Sequence, residues 1–268
     1  MTERAQAIGI FDSGMGGLTV LRAIHERLPG EPLVYLGDTA RVPYGAKSAE
    51  TVARYARACA GVLVKQGVKL LVVACNTASA HALPLLRAEL DVPVMGVIEP
   101  GARAAAEQTR NGGVGVIGTA ATVGSGAYQA ALLGLNDSLR VVARQCPLFV
   151  PLAEEGWTDG PVPRQVANHY LASMRDAGVD TLVLGCTHYP LLKQVIGEVM
   201  GDTVTLIDSA EATSAVVAEA LAGGGLAAPT GGTAQLRFLV TDSPQSFAEV
   251  GARFLGHRLP NVEWVDFA

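Results

Sequence analysis

Two segments far apart in this chain carry one pattern, and that repetition limits the folds open to it. Leu71-Val72-Val73-Ala74-Cys75-Asn76-Thr77 and Leu182-Val183-Leu184-Gly185-Cys186-Thr187-His188 each lead an apolar, strand-like run into a Cys. Small polar residues follow each Cys, and then a helix. The repeat extends upstream. Ile8-Gly9-Ile10-Phe11-Asp12-Ser13-Gly14 matches Val114-Gly115-Val116-Ile117-Gly118-Thr119-Ala120 in pattern, and each lies a similar distance ahead of its Cys. A chain built this way is expected to form two similar lobes facing each other across a cleft.

Strand-like runs rich in Val, Ile and Leu fall near residues 7–11, 33–37, 70–74, 94–98, 114–118, 140–144, 181–185, 204–207, 235–240 and 262–266. They show little two-residue alternation, as strands buried on both faces do. Helical patterns lie between many of them, near 17–28, 48–66, 100–110, 122–134, 163–177, 189–200, 210–222 and 244–255. Alternating β and α elements predict an α/β fold with largely parallel sheets. The repeat predicts two three-layer α/β lobes related by a pseudo-twofold axis. In such sheets ligands bind beyond the carboxyl ends of the strands, the position both Cys occupy. A lobe boundary is expected near Glu99-Pro100-Gly101. After about residue 210 the pattern gives a helix, a Gly/Pro-rich connection from Gly223-Gly224-Gly225 to Gly231-Gly232, and two strands. These could extend the second lobe or return to the first.

Composition removes several classes of function. Of 268 residues, 49% are hydrophobic and 17% charged, enough apolar surface for a sizeable core and against disorder. A formal net charge of -5 and the lack of a Lys/Arg run argue against a nucleic-acid surface. No apolar run approaches the roughly 20 residues of a membrane span. The first residues, Met1-Thr2-Glu3-Arg4-Ala5-Gln6, run into a strand without an apolar signal segment, so a cytoplasmic location is expected. The four Cys (59, 75, 146 and 186) contain no C-x-x-C pair, so neither a zinc site nor a structural disulfide is expected.

Two familiar patterns carry no function here. Gly113-Val114-Gly115-Val116-Ile117-Gly118 fits G-x-G-x-x-G, but a dinucleotide fingerprint follows a strand, whereas these apolar residues form the strand itself. A pyridoxal Schiff base needs a Lys. Lys65 and Lys193 read as helix-surface residues, Lys69 precedes a strand, and Lys47 lies in a loop with no cofactor signature beside it. Cys59 and Cys146 read as buried packing residues, since free Cys behaves as a small hydrophobe. Cys75 and Cys186 differ because they recur in duplicate contexts. A thiol on each side of a cleft can move a proton from one face of a carbon to the other.

Four motifs in order then make the chain recognisable. They are Gly9-Ile10-Phe11-Asp12-Ser13-Gly14-Met15-Gly16-Gly17-Leu18-Thr19-Val20; Gly37-Asp38-Thr39 with Pro43-Tyr44-Gly45; Ala74-Cys75-Asn76-Thr77-Ala78; and Gly185-Cys186-Thr187-His188-Tyr189-Pro190. With these the chain resembles the glutamate racemases of the aspartate/glutamate racemase family, cofactor-independent enzymes that supply D-glutamate for peptidoglycan. The likeness spans nearly the whole chain and is weakest after about residue 210. It implies lobes made of residues 1–98 plus 210–268 on the Cys75 side and 99–209 on the Cys186 side. It also implies a small-molecule substrate, glutamate, no cofactor or metal, and a homodimer.

The chemistry assigns roles to these residues. Racemisation removes the α-proton from one face and returns one to the other, so it needs a base and an acid that exchange roles. A free thiol has a pKa near ~8.5 and needs help to ionise at neutral pH. A helix N-terminus gives such help, with Asn76, Thr77 and Ser79 as N-cap candidates after Cys75 and Pro190 suited to the first turn after Cys186. The resemblance implies that Asp12 assists Cys75, which takes the proton from D-glutamate, and that His188 assists Cys186, which takes it from L-glutamate. Asp12 could also cap the helix starting near Gly16 or Gly17, and the glycines of that turn could let backbone approach a ligand. Glu154 or Glu155 is a further candidate helper. The substrate residues carried over are Asp12, Ser13, Tyr44, Gly45, Asn76, Thr77, Thr187 and His188, with Thr119 and Thr122 as additional hydroxyls. Three alternatives remain at this level: a sister racemase for aspartate, a hydantoin or a diacid; a two-lobed solute-binding protein; and a single-Cys hydrolase.

Overall fold

The computed structural model describes residues 3–228 and 235–266. Among the described residues, ten strands, all paired in parallel, form two sheets. The first has the order β10-β9-β2-β1-β3-β4, from β1 (Ile8–Asp12), β2 (Leu33–Gly37), β3 (Leu70–Val73), β4 (Val94–Gly96), β9 (Leu236–Val240) and β10 (Val262–Trp264). The second has the order β6-β5-β7-β8, from β5 (Gly113–Gly118), β6 (Arg140–Gln145), β7 (Thr181–Gly185) and β8 (Thr205–Asp208). The orders 2-1-3-4 and 6-5-7-8 are the same arrangement used twice, as the sequence repeat predicts. The two C-terminal strands join the first sheet, with β9 paired to β2 from Leu33↔Leu236 to Gly37↔Val240. G-x-G-x-x-G is β5 itself.

Alternate residues of each inner strand serve opposite faces, which is why both faces need cover. Ile8, Ile10, Leu33, Tyr35 and Val72 pack into one cluster with α1 (Leu18–Arg27). Phe11, Val34, Leu36, Leu71 and Val73 pack into another with α2 (Ala49–Lys65) and α3 (Asn76–Glu89). The second sheet divides likewise. Val114, Val116 and Val183 cluster with residues of α4 (Ile98–Gln108) and α6 (Ala127–Leu135), which pack on each other, while the short α5 (Ala120–Gly124) contacts β5, β6 and α3. Ile117, Leu182 and Leu184 cluster with residues of α7 (Phe149–Glu154), α8 (Pro161–Asp176) and α9 (Lys193–Met200). The helix α10 (Ser209–Gly223) packs on α1 and α4, and α11 (Pro244–Leu255) also packs on α1.

Several boundaries depart from the sequence reading. The helix expected near 100–110 begins earlier, at Ile98, so Glu99-Pro100-Gly101 lies in the first turn of α4. The single helix expected over 122–134 is two, broken at Ser125-Gly126, where Gly126 takes φ +69. The part of the Gly/Pro-rich connection containing Gly231-Gly232 lies outside the described residues.

Lys69 enters β3 at the end away from Cys75 and is wholly buried. Its ammonium lies 2.5 Å from Glu31 Oε2 and donates to the carbonyls of Arg4 (3.0 Å) and Leu226 (2.8 Å). Glu31 in turn accepts from Ala228 N–H at 2.6 Å. Breaking such a pair leaves an uncompensated buried charge, whereas removing both charges does not. Lys69→Met should therefore lower the unfolding free energy by about 3–5 kcal/mol in urea titrations. Adding Glu31→Gln should recover more than half of that loss, because the amide still accepts from Ala228. An unchanged midpoint in the single variant would show the pair to be dispensable.

Candidate active site

Parallel register brings the strand ends together. β1 pairs with β3 through Phe11↔Val73, so Asp12 and Cys75 emerge on one edge. β5 pairs with β7 through Gly118↔Gly185, so Thr119 and Cys186 emerge on the corresponding edge of the second sheet. The helix after Cys75 starts one residue earlier than the sequence reading has it. Cys75 itself is the N-cap of α3, its Sγ accepting from Ala78 N–H at 3.4 Å, and Asn76 is already helical. Ser79 instead donates to Val73 O at 2.8 Å. Cys75 Sγ also lies 3.7 Å from Ser13 Oγ. Burial and then the Asp12 charge push this thiol up to about 12, against the pull of the Ala78 N–H and Ser13.

Cys186 stands before a short helical turn, Tyr189–Leu192, that carries Pro190 near its start. Its Sγ lies 3.8 Å from His188 Nδ1, and His188 Nε2 lies 3.0 Å from Glu154 Oε1. Glu154, rather than Glu155, is thus the carboxylate that meets the site. Burial disfavours the imidazolium, but the contacts with Cys186 and Glu154 outweigh it and hold His188 up to about 10. The Phe254 ring stands edge-on to the imidazole at 5.0 Å, and Arg253 donates to the Glu154 carbonyl.

Asp12 has no exposed surface and its charge is felt by the Cys75 thiol. Its Oδ2 accepts from Gly14 N–H at 2.9 Å and its Oδ1 from Thr187 Oγ1 at 3.4 Å. Burial raises its pKa, while the His188 charge, the Gly14 and Gly17 N–H groups and Thr187 lower it. Asp12 does not cap α1, whose N-cap is Gly17 without a side-chain bond. The glycines of this turn serve close packing within the protein. A Cβ at Gly16 would overlap Thr187 and His188, and one at Gly17 would lie 2.5 Å from Asp12 Cβ. Thr19 Oγ1 reaches Thr187 O at 3.1 Å across the same seam.

The strand ends enclose a cavity of about 250 Å³. Ser13, Tyr44, Gly45, Cys75, Asn76 and Thr77 line it from the first sheet's side, and Thr119, Thr122, Cys186, Thr187, His188 and Glu154 from the second's. Every residue carried over from the resemblance is therefore at or, for Asp12, directly behind this cavity. Tyr44 contributes its ring, because its hydroxyl turns away to Asp38 and stands 3.8 Å from Cys59 Sγ. Asn76 accepts from Tyr128 OH at 2.7 Å, while its buried Nδ2 has no partner in the protein, leaving a donor for a ligand. Thr77, Thr119 and Thr122 form a triangle of hydroxyls, each pair 3.0 Å apart. Cys59 and Cys146 are core residues outside the cavity. The lining includes no Lys, and among the described residues no cluster of three His, Cys, Asp or Glu could hold a metal.

The sequence reading missed Thr39, Val150, Asp242, Ser243, Ser246 and Phe247, all of which line the cavity. Asp242 and Ser243 follow the end of β9, next to the end of β2. The strand-end rule that singled out the Cys would have found them once β9 was placed in the first sheet. Ser243 is a non-glycine residue at φ +49, a signal only the backbone carries.

Residues 8–217 match the family model described as Asp/Glu/hydantoin racemase. A glutamate racemase of Geobacter metallireducens is 60% identical over 257 residues, covering 96% of this chain and 95% of that protein. Solved structures agree. A glutamate racemase isoform from Bacillus anthracis superposes with a TM-score of 0.94 at 40% identity, covering 98% of each chain. The Francisella tularensis enzyme, solved in complex with D-glutamate, gives 0.92 at 37% identity, again covering 98% of each chain. With a matching family model over most of its length and such relatives along nearly all of it, the chain belongs to the glutamate racemases of the Asp/Glu/hydantoin racemase family, which are isomerases.

Proposed function

We propose that this enzyme interconverts L- and D-glutamate without a cofactor, by proton transfer between Cys75 and Cys186, and that it supplies D-glutamate for peptidoglycan. The observation that carries this reading is the pair of strand-end thiols lining one cavity, each beside different helpers. In the L-to-D direction the Cys186 thiolate removes the α-proton and the Cys75 thiol delivers one to the opposite face. The reverse direction exchanges the roles. His188, backed by Glu154, serves Cys186, and Asp12 serves Cys75. Ser13, the free Asn76 amide, Thr77, Thr187 and the Gly45 backbone offer donors for two carboxylates, with the Tyr44 ring as a wall. Residues 1–98 plus 210–268 and residues 99–209 form the two lobes that bring these groups together.

Pure protein given L-glutamate, with no cofactor added, should yield a mixture of enantiomers by chiral chromatography, and aspartate and hydantoins should not be turned over comparably. Cys75→Ala or Cys186→Ala should abolish turnover both ways, since every cycle needs an acid and a base. Cys59→Ala and Cys146→Ala should retain activity within a few fold, as about expected for packing residues. Full activity of Cys186→Ala would refute the two-thiol route.

The helpers should act with a direction. His188→Asn should slow L-to-D turnover more than D-to-L, and Asp12→Asn the reverse, with KM adjusting because the equilibrium constant cannot change. In deuterated water the new enantiomer should carry deuterium from its first appearance. Unlabelled early product would mean one base shuttling a single proton.

The pH dependence follows from the raised groups. The protonation states productive for the two enantiomers hold the same number of protons, so kcat/KM should trace one profile in both directions. Cys75, pushed up to about 12, keeps its proton through the neutral range. His188, held up to about 10, loses its charge first as pH rises. Activity should therefore decline near pH 10, and His188→Asn should lack that limb. An alkaline limb near pH 10 that persists unchanged in His188→Asn would contradict this scheme.

A further inference from the structure

Gly37-Asp38-Thr39 is part of a recognition motif, yet Asp38 does not line the cavity and nothing in the proton-transfer scheme uses it. It is nevertheless a carboxylate with no exposed surface. Burying such a group is costly unless donors meet it, and the donors that meet Asp38 come from two separate segments. Tyr44 OH donates to its Oδ2. Thr241 Oγ1 donates to its Oδ1 at 3.0 Å, and the Arg41 guanidinium stands 3.5 Å from the same oxygen. Tyr44 belongs to the loop after β2 and Thr241 to the segment after β9. Both segments then run on into the cavity wall, as Pro43-Tyr44-Gly45 and as Asp242-Ser243.

The same two segments are stitched a second time. Ala40 N–H donates to Thr241 Oγ1 at 2.9 Å. Thr39 Oγ1 donates to Asp242 O at 2.6 Å, while Asp242 N–H donates to Thr39 Oγ1 at 2.8 Å. These latter bonds are exposed to solvent, so water competes for them. The Asp38 bonds to Tyr44 and Thr241 are more shielded, and charge-assisted bonds of that kind are the stronger ones. Ser243 holds a left-handed backbone conformation at φ +49, which persists only where its surroundings impose it.

We propose that Asp38 is a positioning residue: by tying Tyr44 to Thr241 it locks two walls of the cavity together and so sets how firmly substrate is held. This rests on the glutamate reading of the cavity. Asp38 reaches neither thiol in this scheme, so its contribution is to substrate binding common to ground and transition states. A looser rim must be ordered when substrate enters, which weakens binding. Loss of such uniform binding raises KM and leaves kcat unchanged.

The test uses Asp38→Asn, Thr241→Val and Thr241→Ser in the full chain, with steady-state kinetics from each enantiomer. Asp38→Asn and Thr241→Val should raise KM for D- and L-glutamate by the same factor, about three- to tenfold, with the ratio of the two kcat values unchanged. Thr241→Ser keeps the hydroxyl and should stay within about twofold of the parent. Backbone hydrogen exchange of the unliganded proteins reads the clamp without turnover, and residues 42–47 and 241–243 should exchange faster in Thr241→Val than in Thr241→Ser. Unchanged KM together with unchanged exchange in Thr241→Val would overturn the proposal. So would unequal loss of the two kcat values, which would make Asp38 part of the proton relay. If Asp38→Asn does not fold, the Thr241 pair decides alone. An unmutated enzyme that leaves glutamate untouched would refute the substrate reading, while the exchange comparison would still decide the clamp.

Discussion

A carboxylate taken wholly out of water must be met by donors and opposite charge, and the arrangement around Asp12 is organised by that requirement. Gly14 and Gly17 supply N–H groups from its own turn, and Thr187 and the His188 charge supply the rest from the other sheet's strand end. Neither half alone satisfies the group. The seam between the sheets is therefore fixed beside the cavity. A side chain at Gly16 would collide with Thr187 and His188 across it, and one at Gly17 would collide with Asp12 and Ala74 on its own side. Thr19 reaching Thr187 O adds a second bond across the same line.

That seam encloses the two thiols in a site shielded from solvent. Shielding raises the cost of a thiolate, which is why Cys75 is pushed up despite heading a helix. In the proposed scheme a protonated Cys75 suits the part of proton donor, and the reverse part then depends on groups that share its proton. Shielding also strengthens every bond made inside the cavity. The unpaired Asn76 amide is the clearest sign that the cavity is built around a polar ligand, because a buried donor without a partner is costly unless something binds there.

The strands were legible because runs such as Leu70–Val73 and Thr181–Gly185 are apolar, short and bounded by turn residues. The duplicate order of the two sheets was foreshadowed by the strand-to-Cys repeat, and the family resemblance supplied Ser13, Tyr44, Gly45, Asn76, Thr77, Thr187 and His188 of the cavity lining. What sequence could not give was proximity between segments distant in the chain. The choice between Glu154 and Glu155 depends on which carboxylate lies over His188. The N-cap was misassigned because Cys is a poor capping residue by composition, yet its sulfur occupies the acceptor position. The start of α4 was placed late because Pro100 and Gly101 obscure it, but both are tolerated in the first turn of a helix, where backbone N–H groups lack intrahelical partners.

The C-terminal segment explains why two similar sheets make an asymmetric site. Its strands have no counterpart in the second sheet among the described residues, and it contributes differently to the two thiols. Asp242 and Ser243 close the rim beyond β2, while α11 brings Phe254 against His188 and Arg253 to the Glu154 carbonyl. Cys186 thus stands beside an imidazole braced from the first sheet's side, whereas Cys75 stands beside Ser13 and Asp12 within its own half, and the proposed scheme uses that difference. Racemisation is symmetric in free energy between its enantiomers, but nothing requires the two proton-transfer groups to be alike. It requires only that each be able to hold or release a proton when the other does the opposite. A duplicated fold provides two opposed strand ends for that purpose, and the unduplicated segment gives the two ends different acid–base surroundings.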